Sequence, residues 1–336
     1  MSSSVSPEMD SLRASNRSLA AELKLARLAL GDIGEVMQAV RDEVIAEPAV
    51  RIPVPKDTRP SATPVTYVSH ITDWHIGLVT PESMVEGFNK YDWETAQRRV
   101  AQLSASIGKH AAVMQAGYSI GECVVLATGD YLSGDIHEGL VRTNEFQPPK
   151  QAVRAGRLFA AYVRSLAGVF PKVRVEFIAP GNHDRLTRKP QAQAGGENSW
   201  GYVVGALAED LLANQKNVDF RLHTAMQALV EAAGRKYLIG HGDGILGTWG
   251  IPFYGIDRKV GREAKARRAM PDRQFDRIVI GHFHTGTDHE DWLIGGSLSG
   301  TDENDHKCGR HSKAHQTSWI AHPKHGEFGF TRWYLD

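Results

Sequence analysis

The chain has 336 residues, 41% hydrophobic and 23% charged, with 33 Gly and 15 Pro, a globular profile that excludes disorder, collagen-like repeats and a small disulfide scaffold. Its 39 basic residues balance 39 acidic ones, so global charge announces no polyanionic partner and any such site must come from local asymmetry. The two cysteines, Cys123 and Cys308, form no Cys-x-x-Cys pair, which predicts two reduced thiols and lends no support to a thiolate zinc site.

No apolar stretch approaches the ~18 residues of a membrane span. The Ser-rich start, Met1 to Pro7, leads into a charged helical pattern and not a signal-peptide core. A soluble, cytoplasmic protein without a membrane partner is expected.

From Ser11 to Val44 the apolar residues fall on a heptad grid. Leu12, Leu19, Ala26, Ile33 and Val40 share one seam position, and Leu23, Leu30, Met37 and Val44 the other, where Asn16 also falls. A polar seam residue fixes register in a coiled coil, while Gly31 and Gly34 each weaken a helix by about 1 kcal/mol. Two readings stay open for residues 11–44: a coiled coil joining copies or a partner helix, and an amphipathic helix packed on its own domain. Five prolines (Pro48, Pro53, Pro55, Pro60, Pro64) then favour extended chain. The expected organisation is a helical segment 1–46, a linker 47–64 and a second domain 65–336.

Past the linker the pattern becomes short β-rich runs: Thr66 to Ile71, Cys123 to Ala127, Val173 to Ile178, Tyr237 to Ile239 and Ile278 to Ile280. A helix is predicted from Trp93 to Met114, with Ala96, Val100, Leu103, Ile107, Ala111 and Met114 on one face and Asp92 as its cap. A second spans about Gln151 to Val169, with Val153, Leu158, Val163 and Leu166 as its apolar face. Glu327 to Trp333 reads as a closing strand. The alternation is an α/β layout, in which ligand sites form at the strand ends.

Polar residues gather at those ends in five segments: Asp73-Trp74-His75, Gly129-Asp130, Gly181-Asn182-His183-Asp184, Gly240-His241-Gly242-Asp243 and Gly281-His282-Phe283-His284. Carboxylates, imidazoles and one amide oxygen make a mixed donor set suited to Mn, Fe, Zn or Ni, and not to Ca or Cu(I). There are enough of them for two ions. The glycines ahead of Asp130, Asn182, His241 and His282 are expected to turn the chain so that the next side chain reaches over the sheet edge.

In these five blocks and their order the chain resembles the calcineurin-like metallophosphoesterase superfamily, over about Val65 to Trp333. The resemblance implies an α/β fold of the metallophosphoesterase type, a β-sandwich flanked by helices (α/β/β/α), here preceded by the N-terminal helix. It further implies that Asp73, His75 and His284 bind one divalent metal ion, that Asn182, His241 and His282 bind the other, and that Asp130 bridges them. Mn²⁺ is the expected metal, with Fe, Zn or Ni as alternatives. The implied reaction is in-line attack on a phosphoester by water activated between the two ions. His183 is the implied acid, with Asp184 placed to orient or charge its imidazole. Asp243 is a candidate support for His241.

Outside the blocks, His137 is either a wall of the substrate side or loop surface. His306, His311, His315, His322 and His325 crowd the segment after Gly300 at irregular spacing, which reads as solvated loop, and none is assigned as a ligand.

The phosphoprotein phosphatases of the superfamily carry Gly-Asp-x-x-Asp-Arg-Gly and Gly-Asn-His-Glu. This chain has Gly129-Asp130-Tyr131-Leu132-Ser133-Gly134-Asp135 and ends its third block in Asp184. It departs from that pattern in both places. From Asp257 to Arg277 eight basic residues stand against four acidic ones, and Arg258, Lys259, Arg262 and Lys265 are candidates to bind phosphates leading away from the scissile bond. The alternative is a solvated helix face. Trp249, Phe253 and Tyr254 just upstream are either base-stacking or core.

The chain also resembles the SbcD-like DNA-repair exonucleases and phage-encoded phosphoesterases, which implies a Mn²⁺-dependent phosphodiesterase acting on DNA. A small-molecule (nucleotide or cyclic nucleotide) phosphodiesterase or phosphatase is the enzyme alternative. A non-catalytic scaffold subunit is the other, against which all the ligand positions keep competent side chains.

Overall fold

The computed structural model describes residues 12, 15–24, 26–27, 38, 61–190, 195–247 and 252–336. The chain divides into two compact units, Met1–Thr58 and Arg59–Asp336. In the first, residues 15–24 and 26–27 are helical, and Leu12, Leu19 and Leu23 are each more than half exposed. The remaining seam positions Leu30, Ile33, Met37, Val40 and Val44, with Gly31 and Gly34, lie outside the described residues, as does the linker from 47 to 60.

In chain order the strands of the second unit are β1 (Ser61–Ile71), β2 (Tyr118–Ala127), β3 (Val173–Ile178), β4 (Val218–His223), β5 (Gln227–Ala232), β6 (Arg235–Gly240), β7 (Arg277–Ile280), β8 (Thr287–Asp288), β9 (Trp292–Ile294), β10 (His315–His322) and β11 (Gly326–Tyr334). The helices are α1 (Trp93–Gln115), α2 (Glu138–Thr143), α3 (Pro148–Ala167), α4 (Trp200–Leu212), α5 (Phe253–Arg267) and α6 (Glu303–Lys307). Strands β11-β10-β1-β2-β3-β4 form one sheet and β5-β6-β7-β9-β8 the other. β1 to β4 run parallel, as do β6, β7 and β9, while β10 is antiparallel to β1.

Alternation along the strands sends side chains to two different cores. Tyr67 and Ile71 of β1 and Cys123, Val125 and Ala127 of β2 face the helices, with Leu103, Ile107, Phe159, Val163 and Val204. Val68, Val124 and Leu126 face the other sheet, where they meet Val230, Ile239, Val279 and Leu293. Both faces are buried, which is why Cys123 to Ala127 of β2 reads as a continuous apolar run. The second sheet's outer face packs Leu238, Ile278 and Ile294 on Ile256 of α5. The layers are therefore helix, sheet, sheet, helix.

α1 begins where expected, with Asp92 Oδ1 accepting from Thr95 N at 2.8 Å. α3 has proline at its first turn and buries Ala152, Ala155, Phe159, Tyr162, Val163 and Leu166. Val153 is 40% exposed, so the true apolar face is rotated from the expected one towards small residues. The segment after Gly300 corrects the sequence reading more strongly. It holds α6 and two strands, and His315 and His322 are buried in β10.

Among the described residues no helix is long and apolar enough to cross a membrane. Cys123 is buried and Cys308 exposed, both free.

Candidate metal centre

All five polar segments follow the ends of parallel strands: Asp73 and His75 after β1, Asp130 after β2, Asn182 and His183 after β3, His241 after β6, and His282 and His284 after β7. Gly129, at φ 96°, turns the chain ahead of Asp130 as expected, and the other turns are made differently. Asp73, His75, Asp130, His282 and His284 themselves hold left-handed backbone angles, φ 53°, 47°, 53°, 72° and 57°. Gly281 instead clears space, since a Cβ there would sit 1.9 Å from Thr72 Oγ1. The strained ligands turn the chain and the glycine admits its neighbour's approach.

The donor atoms of Asp73, His75 and His284 lie within 4.8 Å of one another, as do those of Asp130, His241 and His282, and those of His75, Asp130 and His183. Asp130 thus belongs to two overlapping groups. Asn182 joins through its Oδ1, 3.0 Å from His241 Nε2.

The hydrogen-bond network fixes where the lone pairs point. His241 Nδ1 faces the Thr128 carbonyl at 2.8 Å, which only accepts, so Nδ1 carries a proton. Its Nε2 is then turned to Asn182 Oδ1 and, at 3.0 Å, to Asp130 Oδ2. His284 Nδ1 faces Asp305 Oδ2 at 2.8 Å, and its Nε2 is 3.1 Å from His75 Nε2 and 3.6 Å from Asp73 Oδ1. Nitrogen and oxygen lone pairs brought this close repel unless a proton or cation lies between them. A divalent first-row ion fits both groups, each with a mixed nitrogen and oxygen set.

The electrostatics agree. Burial alone would depress His241, but the Asp130 carboxylate holds it up at about 10. Burial likewise opposes charge on His284, and Asp305 raises it to about 9. His282, buried and beside His241, is pushed down to about 3. Burial and the neighbouring His183 take His75 well below the usual imidazole range. Burial would raise Asp130, yet His241 and His183 hold its carboxyl well below the usual carboxylate range.

His183 stands over this cluster, its ring 4.7 Å from that of His75. Its Nδ1 lies 2.7 Å from the Ser133 carbonyl, which leaves Nε2 to face away from the backbone. The expected support from Asp184 is replaced. That carboxylate is buried and accepts from Tyr131 N and Leu132 N, holding the loop after Asp130 and not the imidazole. Burial and the charge of Asp130 raise it well above the usual range. For His241, Thr128 makes the hydrogen bond at Nδ1, while the Asp243 carboxylate supports the imidazole through its charge.

A cavity of about 750 Å³ opens above Asp130, Asn182, His183, His282 and His284. His137 is on its wall, with its ring 5.8 Å from that of His183. Asp302, Asp305 and Arg310, which sequence reasoning missed, line the same cavity. Their signal was Asp302-x-x-Asp305, a helix-capping spacing in which Asp302 Oδ1 accepts from Asp305 N at 2.7 Å.

The candidate substrate residues Arg258, Lys259, Arg262 and Lys265 do not line the cavity. They lie on α5, whose preceding residue, Pro252, does. Lys259 is paired with Glu263 at 2.7 Å, whereas Arg258, Arg262 and Lys265 are exposed. Arg277, counted in the same basic segment, is buried against Glu327 and Asp288. Phe253 stacks on Trp292 at 5.5 Å, Tyr254 is exposed, and Trp249 lies outside the described residues.

A family model described as calcineurin-like phosphoesterase matches residues 67–286. No curated protein sequence matches. Among solved structures, a purple acid phosphatase from yellow lupin (Lupinus luteus) seeds overlaps at TM-score 0.30 and 14% identity, over 68% of this chain and 31% of that one. Vps29 of Chaetomium thermophilum overlaps at TM-score 0.28 and 9% identity, over 81% of this chain and all of that one (100%).

Proposed function

The chain belongs to the calcineurin-like phosphoesterase family, a metal-dependent phosphoesterase by its family and its donor clusters, and we propose that it is a DNA phosphodiesterase with a binuclear site. Asp73, His75 and His284 would hold one ion and Asn182, His241 and His282 the other, with Asp130 shared between them, and Mn²⁺ is the proposed metal. The observation that carries the metal-site reading is the convergence of imidazole nitrogens and carboxylate and amide oxygens in overlapping groups around Asp130. When bound, the ions supply positive charge for the phosphoryl oxygens and lower the pKa of water.

The rest falls to the chain's own side chains. The Ser133 carbonyl accepts from Nδ1 of His183 and so orients Nε2 away from the backbone; in the imidazolium form Nε2 donates its proton to the leaving oxygen. Asp184 keeps the Tyr131–Leu132 backbone in place and thereby positions Ser133. The polymer reading is supported by α5, which departs from the cavity rim at Pro252 with Arg258, Arg262 and Lys265 exposed along it. These three track the phosphates beyond the scissile bond. We propose also that the exposed leucines of the N-terminal heptads join copies of the chain.

A second reading, a compact phosphodiester, is favoured by the cavity itself. Arg310 is the one Lys or Arg lining it among the described residues, against Asp243, Asp302, Glu303 and Asp305. End-labelled single- and double-stranded DNA, offered to Mn²⁺-reloaded protein beside a small aryl phosphodiester, separates the two. Cleavage of DNA, abolished by chelator and by Asp130→Asn or His183→Ala, is expected. Turnover of the aryl diester alone would move the substrate to the second reading.

A further inference from the structure

The short helix α6 is closed at both ends. Asp302 caps its start by accepting from Asp305 N. At its end Gly309 takes φ 68°, and the Arg310 N–H returns to the Asp305 carbonyl at 2.8 Å, the six-to-one bond of a Schellman turn. Five residues with two caps are not needed to bury a core. They place Asp305 and Arg310 side by side facing the cavity.

Asp305 uses its two oxygens in different directions. Oδ2 takes His284 Nδ1 at 2.8 Å and Oδ1 takes an Arg310 terminal nitrogen at 3.1 Å. One carboxylate therefore separates Arg310 from a candidate metal-facing imidazole. The Arg310 side chain is 39% exposed, and its Nε is buried with no hydrogen-bond partner. A guanidinium has five donors in a planar fork that matches two oxygens of a phosphoryl group, and the contact to Asp305 leaves most of that fork free.

We propose that Arg310 binds the phosphoryl oxygens of the substrate, its guanidinium braced by Asp305 beside the ion that His284 holds. The inference rests on the phosphoesterase reading and adds to it the residue that recognises the substrate's phosphoryl group. It applies to the scissile phosphate whether the rest of the substrate is a polymer or compact.

The test uses metal-loaded full-length protein, inorganic phosphate as the probe, titration calorimetry for its affinity and elemental analysis for metal content. Arg310→Gln is expected to weaken phosphate binding about 10- to 100-fold, the size of a lost charge-assisted hydrogen-bond pair, with metal content unchanged. Arg310→Lys should recover part of the loss, as a point charge without the fork, and its unfolding midpoint controls for folding. Wild-type phosphate affinity in Arg310→Gln would overturn the proposal while leaving the phosphoesterase reading intact. Loss of metal together with phosphate would also overturn it, by making Arg310 a support for His284 alone. A wild-type protein that holds metal but neither binds phosphate nor hydrolyses any phosphoester would sink both readings.

Discussion

Seven non-glycine residues hold left-handed backbone angles among the described residues, and Asp73, His75, Asp130, His282 and His284 are five of them. Each such angle costs about 1–3 kcal/mol, and a fold concentrates that strain only where side-chain direction matters more than local stability. Two of the candidate ligands also predict a proton count. His241 and His284 are raised to about 10 and about 9, above an unfolded value of about 6.5. Charge on them therefore stabilises the chelator-stripped protein fully below that value, and the contribution is lost as pH rises through about 9 and then about 10. Metal ions displace these protons. Affinity should tighten as pH rises from neutral, and calorimetry in two buffers of different protonation enthalpy should report proton release near neutral pH; a buffer-independent heat there would contradict it. A second expectation concerns Gly134, whose φ is 65° and where a Cβ would lie 2.1 Å from the His183 carbonyl oxygen. Gly134→Ala should move Ser133 away from the imidazole and lower kcat at least tenfold (~1.4 kcal/mol in the barrier), with metal content retained on elemental analysis. The ligand residues were legible because each follows an apolar run, either directly after a glycine, as Asp130, Asn182, His241 and His282 do, or two residues from another ligand, as in Asp73-x-His75 and His282-x-His284. Asp305 and Arg310 were not, since their partner His284 is 21 residues from Asp305 in sequence and only the fold brings them together.

β10 shows why one element escaped the sequence. His315, Gln316, Thr317 and Ser318 open it, a polar run that reads as loop, yet all eight residues of the strand are buried. Hydrogen bonds replace the apolar surface that periodicity looks for. Gln316 Oε1 accepts from Thr72 N at 2.9 Å and its Nε2 donates to the Thr72 and Gly296 carbonyls at 3.1 and 2.8 Å. Ser318 Oγ meets Tyr67 Oη and Trp333 Nε1, both at 2.9 Å. Gln316 thus clamps the residue before Asp73. Gln316→Ala should cost about 1–3 kcal/mol through the unpaired backbone groups it leaves, visible as a lower chemical-denaturation midpoint, and should weaken metal binding as well. An unchanged midpoint would show that water takes over the clamp. The central strands, by contrast, were readable because β2 ends in the run Cys123 to Ala127, apolar on both faces, and α1 because its stripe and its Asp92 cap agree. The α3 face was misjudged because Ala152, Ala155 and Gly156 lie at the helix contact, where small residues allow close approach but carry a weak periodic signal.

At the scale of the molecule, the two units predict that residues 59–336 fold and hydrolyse alone. Their activity per site should equal that of the full chain, while light scattering should show a drop to monomer mass when residues 1–58 are removed. An unchanged oligomer would place the contacts in the second unit. The layered architecture was legible as an α/β layout with its ligands at strand ends. The sandwich of two separate sheets came from the resemblance and not from periodicity, because strand order is set by pairing between distant segments. That order has a consequence for how the protein is made. β1, near the start of the second unit, pairs on one side with β2 and on the other with β10, and the Asp73 carbonyl accepts from Leu298 N. A chain leaving the ribosome must therefore hold the first ligands on a half-paired strand until the segment past His322 has emerged. The centre is therefore complete only once β10 has paired with β1, and metal loading and hydrolysis follow that pairing.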